Sequence, residues 1–320
     1  MDNGTQSVRA GRHTVHLHRP DKVLFPKSED GNGIKNEVTK ADLFAYYRAV
    51  APFMLPHLRG RPLMLERLPD GVGGPRFVQK DTPDHYPEWV TRAEVPKKEG
   101  GSLRHTVCDN TATLLYLADQ ACLTLHRFQS RTGHLDFPDR LVFDLDPPGS
   151  GAGSGSGDDF DAVRAAAHLL GERLDQVGLP SAPMTTGSRG LHIVVPLDGR
   201  HDVDDVRAFA KDLADGLVAA HPDELTTAAR KKDRGARLYL DVQRNGYAQT
   251  AVAPYAVRAR PGAPVATPLA WAQLDEPGLG ARRWSVADAV EQARTNPWEG
   301  LLNRGRALGP ARRRLRALGV

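Results

Sequence analysis

Leu141-Val142-Phe143-Asp144-Leu145-Asp146-Pro147-Pro148 decides how this chain is read. So short an apolar run, stopped by a Pro-Pro pair, predicts a buried strand ending at a turn. In a strand, residues i and i+2 share a face, about 6.6–7 Å apart along the backbone, so Asp144 and Asp146 point one way while Phe143 and Leu145 face the core. Carboxylates that close raise each other's pKa unless a cation neutralises them, which makes the strand end a candidate metal site. A lone D-x-D also ends ordinary strands, its aspartates solvated or capping a turn, so the decision rests on the rest of the chain.

Directly behind this strand, residues 149–157 form a Gly/Ser tract that reads as a flexible loop. Phe160, Val163, Ala167, Leu170 and Leu174 then recur at helical spacing up to Gly178, so strand, loop and helix make one unit. Further on, Thr186-Gly187-Ser188-Arg189-Gly190 is a turn running into a β-branched strand, Leu191–Pro196. Backbone amides, hydroxyls and a guanidinium gathered there suit anionic phosphate oxygens. His192, on an alternating strand, is by itself better read as a core histidine than as a catalyst. Leu238-Tyr239-Leu240-Asp241-Val242 is another buried strand with a single carboxylate, preceded by the basic run Arg230-Lys231-Lys232-Asp233-Arg234. Three carboxylates from two strands can hold two divalent cations about 3.5–4 Å apart. Residues 250–258 predict one more strand, ending at Arg258.

In the N-terminal half, residues 1–11 read as a flexible tail, Thr14–His18 as a strand and 27–37 as a loop. Thr39 is the expected N-cap of a helix through Tyr47 and Leu55. Lys22 and Lys40 flank that loop, where helix N-terminal amides could join them on a phosphate; two plain surface lysines explain the spacing equally well. Strands are expected over 60–67, 76–80, 103–108 and 123–128, and a helix over 110–120. The C-terminal third reads as helical and Arg-rich, with Trp271, Trp284 and Trp298 as packing anchors and 306–320 as a basic tail.

At 320 residues, 40% hydrophobic and 26% charged, the chain has the composition of a soluble globular protein with a substantial core. No apolar run reaches membrane-spanning length and the N-terminus lacks an apolar signal segment, so a cytoplasmic location is expected. Cys108 and Cys122 alone, without C-x-x-C spacing, argue against a disulfide framework or a structural zinc. A net charge of +4 is too small to argue for nucleic acid; the clusters at 230–234 and 312–316 are what a local anionic partner would meet.

Taken together, Phe143-Asp144-Leu145-Asp146-Pro147, Thr186-Gly187-Ser188-Arg189-Gly190-Leu191-His192, Leu240-Asp241-Val242-Gln243-Arg244-Asn245-Gly246 and Ala253-Pro254-Tyr255-Ala256-Val257-Arg258 resemble the polymerase domain of bacterial ligase D, of the archaeo-eukaryotic primase superfamily. The likeness runs from about Leu17 to Trp271 and keeps the order and spacing of the motifs. It implies an α+β (mixed α/β) primase-polymerase fold, with central, largely antiparallel sheets flanked by helices and carboxylates on adjacent strands. One catalytic domain over 12–305 is expected, the 149–157 loop inside it. The implied activity is two-metal addition of ribonucleotides or deoxyribonucleotides to primer 3′ ends at gaps and double-strand breaks, as in non-homologous end joining. Gap filling in excision repair and priming remain open, as does, more remotely, a non-catalytic end-binding module; a D-x-D motif also serves glycosyl transfer.

The resemblance assigns Asp144, Asp146 and Asp241 to two Mn2+ or Mg2+ ions. It assigns Thr186, Ser188, Arg189, His192, Arg234, Arg258 and His126 to an incoming NTP or dNTP. Arg19, Lys22 and Lys40 would take a downstream 5′-phosphate, and Phe77 with Lys80 the template. Thr186 and Arg189 stand where the family commonly has serine and lysine, Arg19 replaces an asparagine, and Val78 replaces a second aromatic. The implied partners are gapped or broken double-stranded DNA, Ku and a separate DNA ligase, for a monomeric, nucleoid-associated, stand-alone polymerase in a bacterial cytoplasm.

Overall fold

The computed structural model describes residues 4–30, 33–148 and 157–319. Of the expected Gly/Ser loop, 149–156 lie outside the described residues. The chain folds as two compact units, Met1–Phe128 with Val252–Thr267 and Trp284–Asn296, and Gln129–Ala251 with Pro268–Arg283 and Pro297–Val320.

In the first unit, helix α1 (Lys40–Leu58) starts at Thr39, whose hydroxyl accepts from the Asp42 N–H while the Asp42 carboxylate accepts from the Thr39 N–H. That reciprocal capping box satisfies two donors which a helix start leaves open. The helix buries Leu43, Phe44, Tyr47, Val50, Met54 and Leu58 and packs on α2 (Thr111–Asp119). The strands β1 (Leu63–Arg67), β2 (Phe77–Gln79) and β3 (Cys122–Phe128) pair antiparallel with β1 in the middle. The buried phenols find acceptors, Tyr46 on the Tyr255 carbonyl at 2.8 Å and Tyr47 on that of Leu123 at 2.9 Å.

Three expectations are corrected in this unit. Gln6–Ala10 is a strand paired with His13–Leu17, not part of a tail, because a turn with Gly11 at φ +62° folds it back and buries Ala10, Val15 and Leu17. The expected 27–37 loop carries a short hairpin, Ser28–Asp30 with Gly33–Lys35. The strand expected over 250–258 stops at Val252; Tyr255 takes a left-handed φ of +66°, which no strand accommodates.

The second unit is built on a five-stranded sheet, β4 (Arg140–Asp146), β5 (Ala182–Thr185), β6 (Leu191–Pro196), β7 (Leu225–Thr226) and β8 (Leu238–Asp241), in the order β5-β6-β4-β8-β7. All pairs are antiparallel except β7 with β8. Helices α3 (Gly157–Gln176) and α4 (Val203–Ala220) pack on the sheet and on each other, with Val163, Ala167, Leu170 and Leu174 of α3 buried as their spacing predicts. Past α5 (Ala289–Arg294), which belongs to the first unit, comes α6 (Leu308–Ala317). The C-terminal stretch is therefore not a tail: Leu308, Ala311 and Leu315 form a buried stripe, and Arg314 bonds the Val177 carbonyl at 3.1 Å. Trp284 and Trp298 are buried, and the Trp271 indole donates to the Ser181 carbonyl.

One side chain extends the sheet where β8 ends. Asn245 is 1% exposed; its Oδ1 accepts from the Val142 N–H at 2.8 Å, and its Nδ2 donates to the carbonyls of Val142 at 2.7 Å and Val242 at 3.0 Å. The amide stands in for a strand residue opposite Val142. Asn245→Ala strands a buried N–H and C=O pair, so chemical denaturation should report a loss of about 2–4 kcal/mol; a loss below about 1 kcal/mol would mean that water or backbone replaces the amide.

Candidate active site

The sheet register sets the site. Met184, His192, Asp144 and Asp241 lie directly opposite one another across β5, β6, β4 and β8, and Asp146 faces Tyr239 two residues along. Residues directly opposite share a face, so all three predicted carboxylates are brought together on one side of the sheet. Phe143 and Leu145, on the other side, are fully buried.

Each carboxylate has a distinct setting. Asp144 is 5% exposed, with one oxygen 3.4 Å from His192 Nε2 and the other 3.3 Å from Arg244 Nε. Burial alone would raise its pKa; the neighbouring His192 and Arg244 outweigh that and hold it below the usual carboxylate range. For Asp146, burial together with the charges of Asp144 and Asp241 pushes the pKa up, and Arg189 and Arg244 offset this only in part. Asp241 Oδ1 accepts from the Tyr239 hydroxyl at 3.1 Å and the Gln243 N–H at 2.7 Å. Burial and the adjacent Asp241 push the Tyr239 phenol up to about 12, so it is a donor across the physiological range.

The turn after β5 closes on itself. The Thr186 hydroxyl donates to the Gly190 carbonyl at 3.0 Å and accepts from the N–H groups of Ser188 and Gly190, both at 3.3 Å. Thr186 thus shapes the turn, and the Ser188 carbonyl is held by Arg282 Nε at 2.8 Å. Gly187 sits at φ +62°, and a Cβ on Gly190 would fall 1.9 Å from the Leu145 carbonyl oxygen. Only glycine lets the turn approach the end of β4 so closely. Arg189, beside it, is near enough to lower the pKa of Asp146. Arg234 lies with its guanidinium 3.6 Å from the Tyr239 ring centroid and donates to the carbonyls of Ala228 and Ala229.

In the first unit, His126 Nε2 is 3.1 Å from Glu66 Oε1, which also accepts from Arg76 at 2.7 Å. Burial would raise the Glu66 pKa, but the His126 hydrogen bond and the charges of His126, Arg76 and Arg258 hold it below the ordinary value. His126 and Arg258 are thus gathered round one buried carboxylate. Phe77 is 54% exposed on the edge strand β2, and Lys80 follows it in the open. Lys22 pairs with Asp70 at 2.8 Å, and Arg19 also lowers the pKa of that carboxyl. Arg19 adopts φ +49°, a conformation asparagine takes more readily than arginine.

Lys40 is placed differently from Lys22. Its ammonium is buried, donating to Asp119 Oδ1 at 2.7 Å and to the His18 carbonyl at 2.8 Å. The first amides of α1 are also engaged, those of Lys40 and Ala41 by the Lys22 and Pro20 carbonyls and that of Asp42 by Thr39, so they are not open to a phosphate. The sequence reading missed Glu66, Tyr239, Arg244 and Asn245 as contributors. Arg244 and Asn245 stood inside a quoted motif; Glu66 had no signal beyond a charge in an apolar strand.

Among the described residues, no three His, Cys, Asp or Glu side chains converge as a ready-made metal cage. The donors nonetheless fit a divalent cation. All three are carboxylates, the ligands hard divalent ions take, and the strand register sets them on one face of the sheet. Among the described residues no helix is long and apolar enough to cross a membrane.

Carboxylates on neighbouring antiparallel strands, beside a glycine-tightened turn carrying an arginine, make up the site this fold presents. The family model of the LigD primase-polymerase domain matches residues 39–298, and the chain belongs to that family. It is 35% identical over 278 residues to the multifunctional non-homologous end joining DNA repair protein LigD of Mycobacterium tuberculosis, covering 84% of this chain and 34% of that protein. To the bifunctional non-homologous end joining protein LigD of Bacillus subtilis it is 32% identical over 271 residues, covering 82% and 41%. The chain spans about a third of the length of the mycobacterial relatives. Among solved structures, the polymerase domain from Mycobacterium tuberculosis ligase D in complex with DNA matches with a TM-score of 0.80 at 32% identity, covering 91% of this chain and 99% of that one.

The Glu66 cluster has a pH signature. A carboxylate held below its unfolded pKa stabilises the fold above that unfolded value, and the contribution is lost as pH falls through the depressed folded value. Glu66→Gln should therefore flatten the acid limb of a melting-temperature profile below about pH 4.5, relative to the parent chain. An unchanged acid limb would remove Glu66 from the acid-sensitive groups.

Proposed function

We propose that the chain is a template-directed nucleotidyltransferase adding ribonucleotides or deoxyribonucleotides to primer 3′ ends at DNA gaps and double-strand breaks. The register that sets Asp144 opposite Asp241, with Asp146 on the same face, carries this reading. Those three aspartates would hold two divalent cations, Mn2+ or Mg2+. When bound, such ions lower the pKa of an attacking hydroxyl and neutralise charge on a phosphoryl group.

The remaining work falls to the chain's own side chains. His192 fixes the orientation of Asp144, and Tyr239 with the Gln243 N–H fixes that of Asp241. Arg189, with the turn that Thr186 closes and the Ser188 amide within it, faces the phosphates of the incoming nucleotide. Arg234 joins them and stabilises the pyrophosphate as it leaves, and Arg258 and His126 are further candidates for contact with the nucleotide. Phe77 offers an exposed ring to template bases, a contact worth about 1–3 kcal/mol per base in single-strand binders, with Lys80 on the backbone. Lys22 and Arg19 receive the downstream 5′-phosphate, while Lys40, whose N–H bonds the Lys22 carbonyl, is held by Asp119 and the His18 carbonyl. The proposed setting is the bacterial cytoplasm at the nucleoid, the protein acting with Ku and a DNA ligase activity.

Extension on a gapped duplex with Mn2+, comparing ribo- and deoxyribonucleotides with and without the 5′-phosphate, tests the reading. Alanine at Asp144, Asp146 or Asp241 should lower extension by at least about a thousandfold while the chain still folds; activity within tenfold of the parent counts against the metal assignment. Lys22→Ala should erase the preference for the 5′-phosphate at unchanged stability. Lys40→Ala should instead cost about 3 kcal/mol in denaturation, since it leaves Asp119 buried with less compensation; a stable Lys40 variant that merely loses the preference would return Lys40 to the pocket.

A further inference from the structure

Arg244 occupies a place that the proposed chemistry has no room for. Its Nε donates to the Asp144 Oδ2 at 3.3 Å. Although burial works against its charge, Asp144, Asp241 and Asp146 all act to hold its proton more tightly than usual. A single guanidinium therefore lies in the field of the whole carboxylate cluster, bonded to an oxygen that a metal ion would need. Two cations at that range repel, the more so when one is divalent and the surroundings are partly buried.

The side chain is able to leave. Its side chain is 43% exposed against 8% for the Asp144 side chain, so the arginine approaches from the solvent side. The backbone beneath it cannot follow, because Asn245, next in sequence, is buried and bonded to Val142 and Val242. Movement is confined to the flexible arm of one residue. Its planar fork pairs with phosphate oxygens as well as with carboxylates, so an incoming polyphosphate gives it somewhere to go.

We infer that Arg244 is the resident counter-ion of the carboxylate cluster, neutralising Asp144 in the metal-free protein and moving onto the polyphosphate that arrives with a divalent cation. The inference rests on the metal-site reading above. It makes metal and polyphosphate binding mutually dependent: the cation alone must displace a bonded guanidinium into water, whereas the cation with a polyphosphate hands it to a new partner. By linkage, each ligand tightens the other by the same factor.

Mn2+ binding to the full chain, followed by electron paramagnetic resonance of free Mn2+ and by calorimetry, tests this without any turnover. The probes are Mn2+ alone and Mn2+ with inorganic tripolyphosphate at a fixed ratio. The parent chain should bind Mn2+ alone weakly and bind it more tightly with tripolyphosphate. Arg244→Gln and the uncharged, similarly long Arg244→Met should bind Mn2+ alone about tenfold more tightly and lose most of the tripolyphosphate enhancement. Both should also melt lower than the parent in EDTA and regain the difference on adding Mn2+. Asp144→Asn reports on the site itself: if it binds Mn2+ as the parent does, the metal reading fails. If it abolishes Mn2+ binding while both neutral arginine variants bind no more tightly than the parent, the metal reading stands and the counter-ion role is overturned.

Discussion

Two aspartates directly opposite one another on neighbouring strands repel, and this fold sets Asp144 against Asp241 inside a sheet. Such a pair persists only if the rest of the molecule compensates for it. The compensation is visible at every neighbouring position: His192 in the same row on one side, Arg244 over the open face, and Tyr239 with a backbone amide donating to Asp241. Asp146, a residue pair further along, receives the least and answers by holding its proton more strongly. Three chemically identical side chains on one face are thus given different neighbours, and on the proposed reading a divalent cation would supply the remaining compensation.

Positive charge is deployed in two different ways. Around Glu66, one buried carboxylate gathers a histidine and arginines, so that their positions are set by an anion the protein owns. At the start of α1 the same device is turned inward, with Asp119 holding Lys40 under the surface while Lys22 stays near solvent on Asp70. A lysine near a helix start is therefore not by itself a phosphate ligand. Whether it meets a ligand depends on whether the fold has already given it a carboxylate.

Much of the fold and part of the site were legible in the chain. The alternation around Asp144, the Pro-Pro stop, the Thr39 cap and the helical spacing from Phe160 to Leu174 are local signals, and local signals survive folding. The strand register that pairs Asp144 with Asp241 is not local, nor is the meeting of Glu66 with His126. Composition misled at both ends. A polar start hid a strand that a glycine turn folds back, and the arginines of 312–316 drew attention from Leu308, Ala311 and Leu315, whose spacing already described a buried helix face. Tyr255 shows the reverse error: an extended-looking sequence broken by one backbone angle that nothing in the residue types announces.

The Asn245 side chain that prolongs the sheet also settles a question of parity. In a strand, residues an odd number apart face opposite ways, so a continued β8 would turn residue 244 away from Asp241 and into the helix-packed side. The short helical turn at Gln243–Asn245 adds the rotation that brings Arg244 round to the acidic face, and the Asn245 amide meets the hydrogen bonds the strand no longer makes. A chain keeping the three acids but replacing this turn with two more strand residues would hold the same charges in the same places. It would have an arginine buried among apolar side chains, and Asp144 would keep His192 but lose its guanidinium.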